Sequence, residues 1–212
     1  MDGTKLQSKI YIGYGKAAKR IGFDYQQFRA TSASNPLSST ALQTLPVSFT
    51  TNFSYSAPNR YGKADWLGLF DARQFAVGDF LVGRQGTFFI AAMQDTLPIL
   101  CVQTNRTVDV LRVGMDPGVG LGSWSGGRRA GEAPIMQGWP ASILQGTKGE
   151  TNDVKLPQDI KTPWWAILLP AWPGVVFRTS DIVRDDLDRK YVISSAELTD
   201  MGWRITAMQA QV

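Results

Sequence analysis

A stretch that opens on an aspartate occurs twice in this sequence, and the recurrence restricts the fold more than any other feature. Residues 77–113 read VGDFLVGRQGTFFIAAMQDTLPILCVQTNRTVDVLRV, and residues 180–209 read SDIVRDDLDRKYVISSAELTDMGWRITAMQ. In each, an aspartate (Asp79, Asp181) is followed at once by apolar residues and then by a polar turn. An aromatic-led run comes next, Phe88-Phe89-Ile90-Ala91-Ala92 in one and Tyr191-Val192-Ile193-Ser194-Ser195 in the other, followed by a short break and one more run. With one residue inserted in the second turn, the copies superpose from the aspartate through the pair of small residues. Short β-branched and aromatic runs separated by turn residues form hairpins. The expected fold is therefore mainly β, an antiparallel barrel or sandwich built from two related β-meanders, with a short N-terminal helix and a long Gly-rich loop.

The 212 residues suit one large or two small domains, and 21 glycines with 11 prolines favour a loop-rich β architecture over a helical bundle. Residues 8–21, SKIYIGYGKAAKRI, place Ile10, Tyr14, Ala17, Ala18 and Ile21 at helical intervals, and Gly22 is a natural stop. Gly13 and Gly15 weaken such a helix by about 1 kcal/mol each relative to alanine, so it is expected to lean on another surface. Residues 23–45 read as an extended arm, which sets a boundary between an N-terminal unit 1–45 and a β domain 46–212. Within the latter, residues 47–56 alternate apolar and polar as a half-buried strand does. Residues 164–169, WWAILL, read as a fully buried strand, and Val175-Val176-Phe177 as another. Between them and the first meander, residues 114–159 are crowded with glycine and read as one long loop excursion.

Composition removes most catalytic chemistry. There is no histidine, which takes away the usual general base and most transition-metal sites, and the single Cys101 allows no internal disulfide. Asp185, Asp186 and Asp188 lack the glycine and terminal glutamate of a calcium loop and read as a solvated hairpin turn. GYGKAAKRIG matches neither the phosphate-loop nor the dinucleotide spacing. No enzyme activity, cofactor or metal is expected. The longest apolar run, from Trp164, is broken by Pro170 and Pro173, and no apolar leader opens the chain, so neither a membrane span nor a secretory signal is expected.

The charge is placed unevenly. Residues 1–29 hold six cations (Lys5, Lys9, Lys16, Lys19, Arg20, Arg29) against two anions (Asp2, Asp24), a difference equal to the whole net charge of +4. A basic arm on a neutral body suits an acidic partner, either protein or nucleic acid. The expected assembly contacts are accordingly Lys9, Lys16, Lys19 and Arg20 with the aromatic groups Tyr11, Tyr14, Phe23, Tyr25 and Phe28. From the Gly-rich region they include Trp124, Arg128, Arg129 and Trp139. Large side chains in sequence too irregular to form a core of their own require a neighbour to cover them.

Several phrases, among them YGKADWLGLFDARQFAVGDFLV, FFIAAMQDTLPILCVQTNRTVDVLR, GWPASILQG, PWWAILLPAWPGVV and SSAELTDMGWRITAMQA, resemble a family of tailed-bacteriophage virion structural proteins. The pattern GDFLV, polar turn, FFIAA is similar, more distantly, to the barrels of head-completion and stopper proteins of the phage neck. The resemblance implies a structural subunit of the particle, a ring at the head-tail junction (neck or connector) or in the upper tail. Its implied partners are copies of itself, portal, adaptor or tail subunits, and, transiently, genomic DNA. It implies localisation in the virion, with assembly in the cytoplasm of the bacterial host. The alternative is a tail component that binds or hydrolyses cell-surface glycan through the tryptophan-rich loop and a carboxylate pair.

Overall fold

The computed structural model describes residues 2–52, 58–60, 62–113, 132–146 and 164–210. A helix, α1 (Gly3–Ile21), precedes twelve strands. The first six are β1 (Phe23–Phe28), β2 (Gln43–Thr50), β3 (Asp65–Leu69), β4 (Phe80–Gly83), β5 (Gly86–Ala92) and β6 (Ile99–Gln103). The second six are β7 (Arg106–Val113), β8 (Glu132–Gln145), β9 (Trp164–Leu169), β10 (Ile182–Asp185), β11 (Lys190–Thr199) and β12 (Gly202–Gln209). Each set closes into an antiparallel barrel, in the order β1-β2-β3-β6-β5-β4 and β7-β8-β9-β12-β11-β10. The fold is thus mainly β, as the hairpin patterns require. The two meanders, however, do not share one barrel: β4–β6 is half of the first and β10–β12 half of the second.

The orders are the same under a shift of six strands, so the repeat covers whole barrels. Register carries the correspondence to single residues. Phe80 pairs with Phe89 and Leu81 with Phe88, as Ile182 pairs with Val192 and Val183 with Tyr191. Ser48 pairs with Leu69 as Ser142 pairs with Leu168. A register shift follows Ile90 in the first barrel and Ile193 in the second, at the pairs of small residues, where a bulge bends the strand. Trp66 and Trp165 also correspond, each packed edge-on to the aromatic residue at the same place on the facing strand, Phe88 (6.3 Å) or Tyr191 (5.6 Å).

An aspartate-arginine clamp closes each barrel. Asp79 accepts from Arg29 Nε and Nη2 at 2.6 Å each, from Gln27 Nε2 at 2.7 Å and from the Ala76 amide at 2.9 Å. The same Arg29 Nη2 reaches the Gln74 carbonyl at 3.2 Å. In the second barrel, Asp181 accepts from Arg112 Nε (2.8 Å) and Nη2 (2.7 Å) and from the Arg178 amide (2.8 Å), while Arg112 also reaches the Val176 carbonyl. Both aspartates are buried, and each arginine stands at the end of a barrel's first strand. The residue before each aspartate has a left-handed backbone, Gly78 at φ 90° and Ser180 at φ 72°. That turn aims the carboxylate back at the strand.

The barrels meet through side chains and a two-residue link. Phe28, Phe80, Phe89 and Val102, on the outside of the first barrel, are buried in one apolar cluster with Val108, Trp139 and Tyr191 of the second. Phe80 and Trp139 lie edge to face at 5.8 Å. In the link, Thr104 donates twice to the Thr87 carbonyl. Asn105 exchanges side-chain hydrogen bonds of 2.8 Å with both backbone groups of Ile143.

Several expectations are revised. The boundary between barrels falls at Thr104 and Asn105, inside the expected 46–212 unit. Phe23–Phe28, expected in an arm, is a strand paired on both sides, because its buried Gln27 finds Asp79 and Gln43. The polar segment after it lies across the second barrel, where the Ala33 carbonyl accepts from the Gln137 amide and the Trp139 indole. Of the expected loop 114–159, residues 132–145 are a 14-residue strand; residues 114–131 and 147–159 lie outside the described residues. WWAILL is a strand, but only Ile167 and Leu169 within it are buried, and Val175 to Phe177 form no strand.

The helix begins at the N-cap Asp2, whose carboxylate accepts from the Thr4 amide, and it buries Tyr11, Gly15 and Ala18, a face slightly rotated from the expected one. Gly15 is needed there: a Cβ would stand 2.8 Å from the Cβ of Asp71. Gly13 has no such reason, since a Cβ would meet nothing within 4 Å.

Replacing Asp79 or Asp181 by alanine strips a buried partner from an arginine and a backbone amide, and from Gln27 in the first case. Each change is expected to cost about 2–4 kcal/mol, the lower end reflecting the partial exposure of the arginines. Losses at both sites, at least as large at Asp79 as at Asp181, are the expected result of denaturant titration, and a loss under about 0.5 kcal/mol at either would remove the clamp as the closing element.

Candidate functional site

The residues expected to make assembly contacts separate into three groups. Tyr11, Tyr25, Phe28 and Trp139 are buried in the chain's own core and are not available to a partner. The Tyr25 ring lies over Gly83, where a Cβ would come within 2.5 Å of it, and meets Phe49 and Phe88 edge-on. Its hydroxyl, bonded to Gln85, caps that end of the barrel. The irregular sequence around these aromatic groups hid the core they join, because their partners lie 24 or more positions away.

Trp124, Arg128 and Arg129 lie outside the described residues. Lys9, Lys16, Lys19 and Arg20 are exposed on α1 with Lys5, and among the described residues none of the five forms an ion pair. Lys19 stands near Asp71, which Arg73 already holds at 2.6 Å; the Arg73 hydrogen bond, with a smaller pull from Lys19, keeps the Asp71 carboxyl below its ordinary range. Tyr14 is half-buried, and burial followed by the nearby Tyr11 raises its phenol. Phe23 is exposed under the Arg84 guanidinium, 5.1 Å from the ring centre. With Ile21, Ser48, Phe49 and Gln85 it lines an open cleft of about 390 Å³.

A second surface becomes visible only in the register of the strands. On the outside of the first barrel one row of paired residues runs Phe28, Phe80, Phe89, Val102. Its counterpart on the second barrel runs Leu111, Ile182, Val192, Met208 and continues to Trp164. Val192 and Met208 are 39% and 48% exposed, where the corresponding Phe89 and Val102 are 1% and 6% exposed against the second barrel. The same apolar stripe is therefore covered on one barrel and open at its centre on the other.

The aspartate cluster is a hairpin turn, but not a fully solvated one. Asp186 and Asp188 are exposed, with Asp188 in the left-handed region at φ 58°, whereas Asp185 is buried. Asp185 accepts from Arg189 Nε at 2.8 Å, from the Arg189 and Leu187 amides, and from the Tyr191 hydroxyl. Burial opposes its ionisation, yet these donors, Arg189 foremost, outweigh burial and hold the carboxyl below its ordinary value of 3.8. The Tyr191 phenol is raised, first by burial and then by the charge of Asp185. Nearby, Arg106 Nε and Trp165 Nε1 are buried without hydrogen-bond partners, whereas the corresponding Trp66 donates to Gln103 at 3.1 Å. Asp185 is thus fully committed to its own turn, and burial pushes the Cys101 thiol far above its ordinary value. Among the described residues no three of the side chains His, Cys, Asp and Glu gather as metal ligands.

Comparison with known protein families, with curated proteins and with solved structures finds no match.

A carboxyl whose folded value is depressed contributes stability above its ordinary pKa and loses it as the pH falls through the folded value. Asp185 therefore supports the fold at neutral pH, and that support declines only as the pH falls below the ordinary value of 3.8 and through the lower folded value. Asp185→Asn is expected to lose about 2–3 kcal/mol at neutral pH. Urea midpoints taken from about pH 7 to about pH 3 should show the gap to the parent protein narrowing with acid; a gap constant across that range would deny Asp185 its charged role.

Proposed function

We propose that this chain is a structural subunit of a tailed-phage particle that joins copies of itself into a ring at the head-tail junction or upper tail. Its other contacts in this reading are portal, adaptor or tail subunits. The observation that carries the reading is the apolar row Leu111, Ile182, Val192, Met208, Trp164 on the second barrel, which is exposed at its centre, Val192 and Met208. Its counterpart within the same chain is already used to bury one barrel against another. A second copy offers a barrel of the same kind, and a contact between unlike faces propagates into a ring when its rotation closes. Closed barrels have no strand edges to lend, so a face of side chains is the means of association left to them.

Support also comes from what the buried polar groups do. Asp79, Asp181 and Asp185 are spent on clamps and turns. Of the tryptophans, Trp139 and Trp203 are withdrawn from any sugar, buried with their rings against Phe80 and Phe177.

Val192→Glu with Met208→Glu places two charges on the row without touching the barrel interior. Sedimentation of the parent protein is expected to show a closed oligomer that grows in with concentration, and that of the double variant a folded monomer that also fails to enter particles. A double variant that assembles and enters particles like the parent would remove this row, and with it the reading's main support.

A further inference from the structure

We infer that the outward face of α1 is a contact for the sugar-phosphate backbone of duplex DNA. Lys5, Lys9, Gly13, Lys16 and Arg20 recur every three or four residues and so form one stripe along the helix. The buried residues Tyr11, Gly15 and Ala18 lie on the other side. No acidic residue occurs between Gly3 and Ile21, and none of the stripe's four cations is ion-paired among the described residues.

Spacing favours a duplex. At 1.5 Å per residue the stripe is about 22 Å long, and Lys9 and Lys16 are about 10 Å apart, close to the roughly 12 Å width of a major groove. The pairs Lys5 with Lys9 and Lys16 with Arg20 can then sit on facing phosphate rims. Gly13 falls between the pairs, over the groove. A Cβ there would meet nothing within 4 Å, so the protein's own packing does not ask for glycine, whereas a helix settling between two rims gains from a bare centre.

The chemistry of the stripe also favours phosphate over an acidic protein. Protein interfaces depend on aromatic or aliphatic anchors near their centres, and the stripe has none. Phosphate backbones are held by charge alone, without reading of bases. The helix is preformed, anchored by its buried face and by the Gln7 side chain, whose Oε1 accepts from the Thr96 amide at 2.6 Å. Binding therefore orders little beyond the four side-chain ends. The inference rests on α1 alone and is independent of the ring.

The test is retention of a random-sequence duplex of about 30 base pairs by the purified full chain across a salt series. Four phosphate contacts imply a slope of log affinity on log salt of about −3.6, a loss of roughly a hundredfold between 50 and 200 mM salt. The quadruple variant Lys5→Gln, Lys9→Gln, Lys16→Gln, Arg20→Gln should fold as judged by circular dichroism and lose most of that slope. Gly13→Leu, which changes no charge, should weaken binding at least severalfold. The inference is overturned by a parent chain that fails to retain the duplex at low salt, or by a quadruple variant that retains it unchanged. It is likewise overturned by polyglutamate of equal charge displacing the duplex as well as DNA does, which would make an acidic protein the occupant. Failure of any kind here leaves the sedimentation test of the ring untouched.

Discussion

A barrel of six strands closes only if its first strand meets its fourth, and in both halves of this protein that seam is fixed by one carboxylate. Asp79 and Asp181 stand where the chain turns into β4 and β10, and each takes a fork of two hydrogen bonds from an arginine at the end of the strand it must pair with. The arginine's remaining reach goes to a carbonyl before the turn, Gln74 or Val176, so turn, seam and strand are tied at one point. The hydrogen bond raises the pKa of Arg29 and of Arg112, which keeps the charge on the pair. Only the carboxylate of each pair is buried, and its desolvation offsets part of the attraction. What the pair specifies is register: one residue of slip would turn Leu81 and Val183 out of the barrels.

With the same clamp and the same register, the two barrels fill their ends differently. Position for position, Tyr25 corresponds to Val108 and Gly83 to Asp185. In the first barrel the tyrosine ring covers the glycine and Gln85 caps the hydroxyl. In the second, the smaller valine leaves room that is taken by Asp185, the Tyr191 hydroxyl and Arg189. An aromatic plug has become a buried polar one with the backbone preserved. This substitution also explains why Asp185 is buried in a turn that its neighbours leave in water.

The hairpins that could be read from sequence were those whose strands are close neighbours in the chain. The meanders around Phe88 and Tyr191 alternate cleanly because β4–β6 and β10–β12 pair with sequence neighbours, and the insertion in the second turn was visible for the same reason. Phe23–Phe28 carries Gln27 where the period asks for an apolar group, and its burial is satisfied by Asp79, 52 positions on, together with Gln43. Trp139 lies in glycine-rich surroundings and meets Phe80 and the Ala33 carbonyl, neither of them local. The basic stripe of α1 was legible as charge. The apolar row on the second barrel was not, since Leu111, Ile182, Val192 and Met208 are neighbours only after the barrel has closed.

The two surfaces put forward for binding belong to different barrels, and their physics differs accordingly. The stripe on α1 rides on the first barrel through Tyr11, Gly15 and Ala18, and any contact it makes is ionic and weakens with salt. The row through Val192 and Met208 belongs to the second barrel, and a contact there strengthens with apolar area removed from water and is nearly indifferent to salt. Neither surface uses residues of the other, so the two proposed contacts do not exclude each other. Association through the row would then present the helix stripes at fixed intervals, and several weak ionic contacts on one duplex bind far more tightly than any of them singly.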